Sequence, residues 1–221
     1  MEQITYQQVK QSEEIKTYIE EADLSLKARG FTEHSFAHVT KCAKEASDLL
    51  KNLGYPERTC ELAAIAGYMH DIGNVVNRID HAQSGAVMAF RILDKMGMEP
   101  KELATVVTAI GNHDEKTAFP VNAVAAALIL ADKTDVRRNR VRNKVKASFD
   151  AHDRVNYAVL SSRLVIQKEK KVIQMELELD DSMCSVMDYF EIFLDRMLMC
   201  RRAAEVLGCR FKLTANGSKL C

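Results

Sequence analysis

The chain has 221 residues, 47% apolar and 28% charged, with 31 basic residues against 31 acidic ones. That length suits one domain with a smaller appendage and the apolar content can fill a core, while a net charge of zero excludes bulk attraction to nucleic acid or membrane surfaces. The opening MEQITYQQVKQSEEIK is polar without an apolar signal segment, and no window has the uninterrupted apolar length that spans a bilayer; a soluble, cytoplasmic protein is expected. The six cysteines (Cys42, Cys60, Cys184, Cys200, Cys209 and Cys221) are scattered, with no C-x-x-C pair. They are expected as free thiols, buried except for the terminal Cys221.

From about Thr5 to Ala28 the pattern reads as helix, with room for one break, before Gly30. A second helix is expected from near Glu33 to Leu53, stopped by Gly54. Pro56 opens a third that reaches His70 through Leu62, Ile65, Ala66 and Met69. Asp80 is placed to cap a fourth, running through Met88, Ile92 and Met96 to Gly97, and Pro100 opens a fifth through Leu103, Val106 and Ile110 to His113. The segment VNAVAAALILAD is apolar on nearly every side and is expected to be the central buried helix. On it Val121, Val124, Leu128 and Asp132 fall at steps of three and four and share a core-facing side. The last third changes character. From about Val155 to Gln167 and from Val172 to Leu179 apolar and polar residues alternate, with KEKK between them as a hairpin turn. Ser182 is expected to cap a Met-rich helix that suits core packing or a homo-oligomer interface. Gly208 ends that helix, and a short strand, CRFKLT, precedes an Asn216-Gly217 turn. The expected fold is mainly α: a helical bundle with a C-terminal α+β extension of hairpin, helix and short strand. It divides into a helical segment over 1–30, a helical domain over 31–150 and a small α+β extension over 151–221.

Five of the six histidines lie between residues 34 and 113. His38 falls near a helix start, His70 and Asp71 at a helix end, His81 at a helix start, His113 at a helix end and Asp132 in the apolar helix. Neutral imidazole and carboxylate are the donors that divalent transition metals accept, and helix ends let short side chains from separate segments converge. An ionised Asp132 in so apolar a helix is costly unless it is paired or coordinates a metal. Taken singly, His81 is explained as part of a helix cap and His113 as a core histidine; their register with the other four favours ligation. His152 lies outside the pattern and is expected at the surface, and Asp135 is expected as a surface acid beside Arg138 or Asn139.

His38, the His70-Asp71 doublet 32 residues later, and Asp132 on an apolar helix resemble the H…HD…D signature of the HD-domain superfamily of metal-dependent phosphohydrolases. Their contexts agree: EHSFAHVTKCA resembles the family's first helix, AGYMHDIGN its apolar H-D-I-G turn and LILADKTD its terminal aspartate segment. HAQSG at 81–85 resembles the H-x-x-x-G element of the subgroup that holds two metals. GNHDE at 111–115 resembles that subgroup's H-H-E element, with Asp114 where a second His often stands. The resemblance covers roughly residues 31–142. It implies an HD-type helical bundle that gives His38, His70, Asp71 and Asp132 to one metal and His81, His113 and a bridging Asp71 to a second. Iron or manganese is expected; zinc, cobalt, nickel and magnesium are also compatible. Two departures bear on substrate. Asn74 stands where a phosphate-contacting Lys often follows H-D-I-G, and the absence of a GYP segment after GNHDE argues against cyclic di-GMP.

The function expected is hydrolysis of a phosphate ester, in a nucleotide or another small phosphorylated molecule, by a metal-activated hydroxide. In that scheme Asp71 orients the nucleophile and Asp114, or Glu115, protonates the leaving group. Lys133 and Arg137, four apart on a continuing helix, grip phosphate. His34, one turn before His38, belongs either to the substrate side of the site or merely to the helix start. Two alternatives share the ligand set: a diiron oxygenase, which would consume oxygen, and a regulatory module that binds a nucleotide without turnover.

Overall fold

The computed structural model describes residues 3–115, 118–145 and 148–221. Helices α1 (Tyr6–Gln11) and α2 (Glu13–Ala28) are parted at Ser12, whose side chain accepts from the Ile15 N–H and caps α2. Helix α3 (Phe36–Leu53) starts later than Glu33 because Ser35 is its cap, while the Glu33 carboxylate accepts from the Ser35 N–H. Gly54 ends α3 in the left-handed region. Helix α4 (Glu57–Met69) has His70 as its C-cap and runs into a 3-10 turn, Ile72–Val75.

Asp80 precedes α5 (His81–Met96), but it is left-handed (φ 56°) and its side chain makes no capping bond, contrary to the expected cap. Helix α6 (Pro100–Gly111) is capped by Glu99 and stops two residues before His113. Helix α7 (Ala123–Lys133) is buried from Val124 to Ala131, as its all-round apolar sequence requires. Val121 is the exception to the expected core stripe: it precedes the Asn122 cap and is 49% exposed. The helix expected to continue past Asp132 ends at Lys133. There the Thr134 hydroxyl donates to the Leu130 carbonyl, and irregular backbone follows, extended at Arg137, before a 3-10 turn, Arg138–Arg140.

The extension opens on a helix, α8 (Ala151–Ala158), capped by Asp150, in the first part of the stretch expected as strand. Then come β1 (Val159–Gln167), a turn over Lys168–Lys170, and β2 (Val172–Leu179), antiparallel to β1. Helix α9 (Val186–Val206) is capped by Ser185 in a capping box with Asp188 rather than by Ser182, whose hydroxyl donates to Asp180. Strand β3 (Arg210–Ala215) returns parallel to β2, and β4 (Ser218–Lys219) closes the sheet across Asn216-Gly217, both at positive φ. The strand order is β1-β2-β3-β4.

Two packing features position the site. Helices α3 and α4 touch backbone to backbone: a Cβ on Gly67 would lie 2.8 Å from the Ala43 Cα. That approach brings the His38 and His70 rings to 5.2 Å. Helix α7 is flanked by α3, α4, α6 and α9, so the extension's long helix packs on the same central rod as the bundle, and one apolar cluster runs from Ile15 through Leu128 to Phe193 and Met175. All six cysteines are free, five of them buried and Cys221 exposed. Among the described residues no helix is long and apolar enough to cross a membrane.

Candidate metal centre

Six donors reach one point because each sits at or near a helix end. Asp71 is their hub. Its Oδ2 lies 3.1 Å from His70 Nε2 and 3.5 Å from His38 Nε2. Asp132 Oδ1 joins that group, 3.3 Å from His38 Nε2 and 3.7 Å from His70 Nε2. The other carboxylate oxygen, Asp71 Oδ1, faces His81 Nε2 at 3.6 Å and His113 Nε2 at 4.0 Å. The four imidazoles are at most 2% exposed and Asp71 is 4% exposed.

The far side of each ring decides what the near side can do. His70 Nδ1 is 2.9 Å from the Gly67 carbonyl, His81 Nδ1 3.0 Å from Arg78 O and His113 Nδ1 2.6 Å from Ile110 O. A carbonyl only accepts, so each Nδ1 carries a proton, and Nε2 is the atom that each ring, when neutral, has free to ligate inward. His38 Nδ1 is held at 2.8 Å by Asp135 Oδ2, which serves the same purpose with a carboxylate. Asp135 is therefore not the surface acid expected beside Arg138 or Asn139. It is 2% exposed and anchored by Arg137, by Arg140 and by Lys41. Asn74, at the position where a Lys was absent, donates to Asp71 Oδ1 and to the Asp71 carbonyl, both at 2.9 Å, and fixes the carboxylate's rotation.

This donor set fits a divalent cation. His70 Nε2 and Asp71 Oδ2 are buried with no hydrogen-bond partner. His81 Nε2 and His113 Nε2 stand 3.1 Å apart with both lone pairs turned inward, an arrangement that a cation between imidazoles relieves. The donor atoms of His38, Cys42, His70 and Asp132, and of His70, Asp71 and His113, lie within 4.8 Å of one another in two groups. Cys42 was not singled out in the sequence; its sulfur sits 3.6–3.7 Å from both His38 nitrogens and is turned toward the Ala131 carbonyl.

Electrostatics separate the two halves. Burial lowers His70, but Asp71 and Asp132 outweigh it and push the imidazole up to about 10. On the other side burial holds His113 well below the ordinary imidazole range, with His70 and His81 adding repulsion, and burial likewise lowers His81. Despite burial, Asp71 and Asp132 are held far below the usual carboxylate range, Asp71 chiefly by His70 and Asp132 chiefly by Lys133.

The centre opens into a cavity of about 570 Å³. Asp114, His34 and Lys133, all expected near substrate, line it. The Lys133 Nζ is 2.7 Å from Asp132 Oδ2, and His34 Nδ1 is 2.7 Å from the Thr32 carbonyl. Arg137 is not among the lining residues: with the helix ended at Lys133, its guanidinium makes a two-pronged contact with Asp135 instead. The cavity wall also takes Arg29, Arg78, Arg140 and Arg196, none of them anticipated, and the exposed His152. Among the described residues seven carboxylates and five cations line it, so the balance of these side chains is negative.

Residues 31–137 match the HD domain family. That segment is an HD domain. The HD match spans α3 to α7 and so includes all six converging donors. The chain is also 26% identical over 199 residues to the uncharacterized protein MJ1020 of Methanocaldococcus jannaschii, an alignment that covers 80% of this chain and 76% of that one. The similarity thus extends beyond the HD domain into the flanking helices or the extension. No solved structure matches.

Proposed function

We propose that the HD domain is a metal-dependent phosphohydrolase with two divalent ions, iron or manganese by preference. One would be held by His38, His70, Asp132 and Asp71 Oδ2, the other by His81, His113 and Asp71 Oδ1. The observation that carries this reading is the division of Asp71, whose two oxygens face two separate sets of imidazoles. When bound, such ions supply Lewis-acid charge for a phosphoryl group and for the water that attacks it. The chain's own part is to fix the donors and bind the ester. Asn74 and Asp135 hold Asp71 and His38 in their ligating orientations. Lys133 and Arg140 line the cavity and would partner phosphate oxygens, His34 would border the substrate, and Asp114, which also lines the cavity, would give the leaving group its proton. Two added dications would turn the cavity's negative balance positive, which suits a phosphorylated substrate such as a nucleotide.

Elemental analysis of protein purified without chelator tests the reading. About two ions per chain are expected for wild type and about one for His81→Ala, with metal-dependent release of p-nitrophenol from p-nitrophenyl phosphate or its bis ester. One ion in both proteins removes the second site. Oxygen uptake without phosphate release would replace the hydrolase with an oxygenase.

A further inference from the structure

We infer that Arg196, on α9 outside the HD domain, is a phosphate-binding residue of this site, and that the Glu115 carboxylate occupies its place until an anionic substrate arrives. Arg196 lines the cavity beside Asp132, Lys133 and His113. Its guanidinium lies over the Phe193 ring, 4.4 Å from the centroid, a contact that steadies the planar fork. Only its Nε is engaged, by Glu115 Oε1; among the described residues no acceptor is bonded to its two terminal nitrogens. The same Glu115 oxygen lies 3.8 Å from Lys133 Nζ, whose other neighbour is Asp132 Oδ2 at 2.7 Å.

One carboxylate therefore sits between two cations that reach it from different parts of the chain, Lys133 from the central helix and Arg196 from the extension. A phosphoryl group matches that pocket better than a carboxylate does, since it offers more oxygens to a fork with spare donors. Glu115 also has the freedom to leave: its side chain is 31% exposed and ends a turn at the cavity rim. Held between two cations, it serves as an acceptor, which separates its role from the leaving-group acid assigned to Asp114. The inference rests on the phosphohydrolase reading for its substrate class, but its geometry is independent of turnover.

The test uses metal-loaded full-length protein and inorganic phosphate as the probe, titrated by calorimetry, with p-nitrophenyl phosphate kinetics alongside. Loss of a charge-assisted contact predicts that Arg196→Ala weakens phosphate binding about ten- to hundred-fold and raises KM with a smaller change in kcat. Arg196→Lys should recover part of that loss. Glu115→Gln, which removes the competing anion, should tighten phosphate binding several-fold. A merely structural ion pair predicts something different: both substitutions lower Tm alike, and neither tightens phosphate. Should Arg196→Ala fail to fold, the opposite signs expected for Arg196→Lys and Glu115→Gln still decide. Phosphate binding with these opposed shifts but no ester hydrolysis would remove the phosphohydrolase and keep the Arg196 site. Hydrolysis with phosphate affinity unmoved in both variants overturns the Arg196 site alone, and a wild type that binds no phosphate overturns it as well.

Discussion

Gly73→Ala should disable the metal centre through one carbon atom. A Cβ there would lie 2.0 Å from the His81 carbonyl oxygen, 2.4 Å from the Gly85 nitrogen and 2.8 Å from Ser84 Oγ. Ordinary contacts begin near 3.4 Å, so the 3-10 turn and the first turn of α5 must part by more than about 1 Å. Gly73 is not at positive φ, so the penalty is close approach alone. Asp71 and His81 flank the contact, and the same displacement pulls Asp71 Oδ1 away from His81 Nε2. Overpacking of this kind costs roughly 1–3 kcal/mol or more, which for a chain of this size lowers Tm by about 2–12 °C. Gly97→Ala is the contrast: φ is +89° but nothing lies within 4 Å, so only backbone strain of about 1 kcal/mol applies and the metal should stay. Differential scanning calorimetry and metal content read both effects. A Gly73→Ala protein with wild-type Tm and wild-type metal content would refute the argument.

Asp135→Asn should weaken metal binding about ten- to hundred-fold by chelator competition, since Asp135 orients His38 without touching the cavity; unchanged affinity would make the contact incidental. Metal-stripped protein should lose stability between pH 7 and 10. His70 is raised from 6.5 to about 10, so its contribution is complete below pH 6.5 and is lost as pH climbs through 10. A Tm flat over that interval in EDTA, or an equal fall in the metal-loaded protein, contradicts this. Gly67→Ala should cost about 1–3 kcal/mol by forcing α4 off Ala43, and its Tm relative to Gly97→Ala measures how tight that helix pair is.

What was legible in the sequence was whatever local spacing encodes. The HD doublet, the two further histidines and Asp132 each sit in a short stretch whose neighbours advertise the role, and the apolar α7 could only be central. Asp135 was misjudged because an acid among basic residues, on a helix expected to continue, looks solvated. Only the fold reveals that His38, 97 residues earlier, needs its oxygen. Arg137 was read on a helix that continues; the helix ends at Lys133, and the guanidinium turns to Asp135. Arg196 was beyond reach, since its partner Glu115 lies 81 residues away and a lone arginine on an amphipathic helix carries no signal. Helix α8 was missed because its hydrophobic spacing runs directly into that of β1.

The all-apolar surface of α7 has a consequence for synthesis. During translation α3, α4 and α6 are available to it at once, but the face that α9 covers stays bare until residue 206 has left the ribosome. At typical elongation rates that wait lasts roughly 4–15 s. For that interval the nascent chain displays one greasy face of the rod without its native cover, the sort of surface that chaperones attend. Release of a chain cut short after the HD domain would make that exposure permanent, so the ligands could all be present in a polypeptide that aggregates before it binds metal.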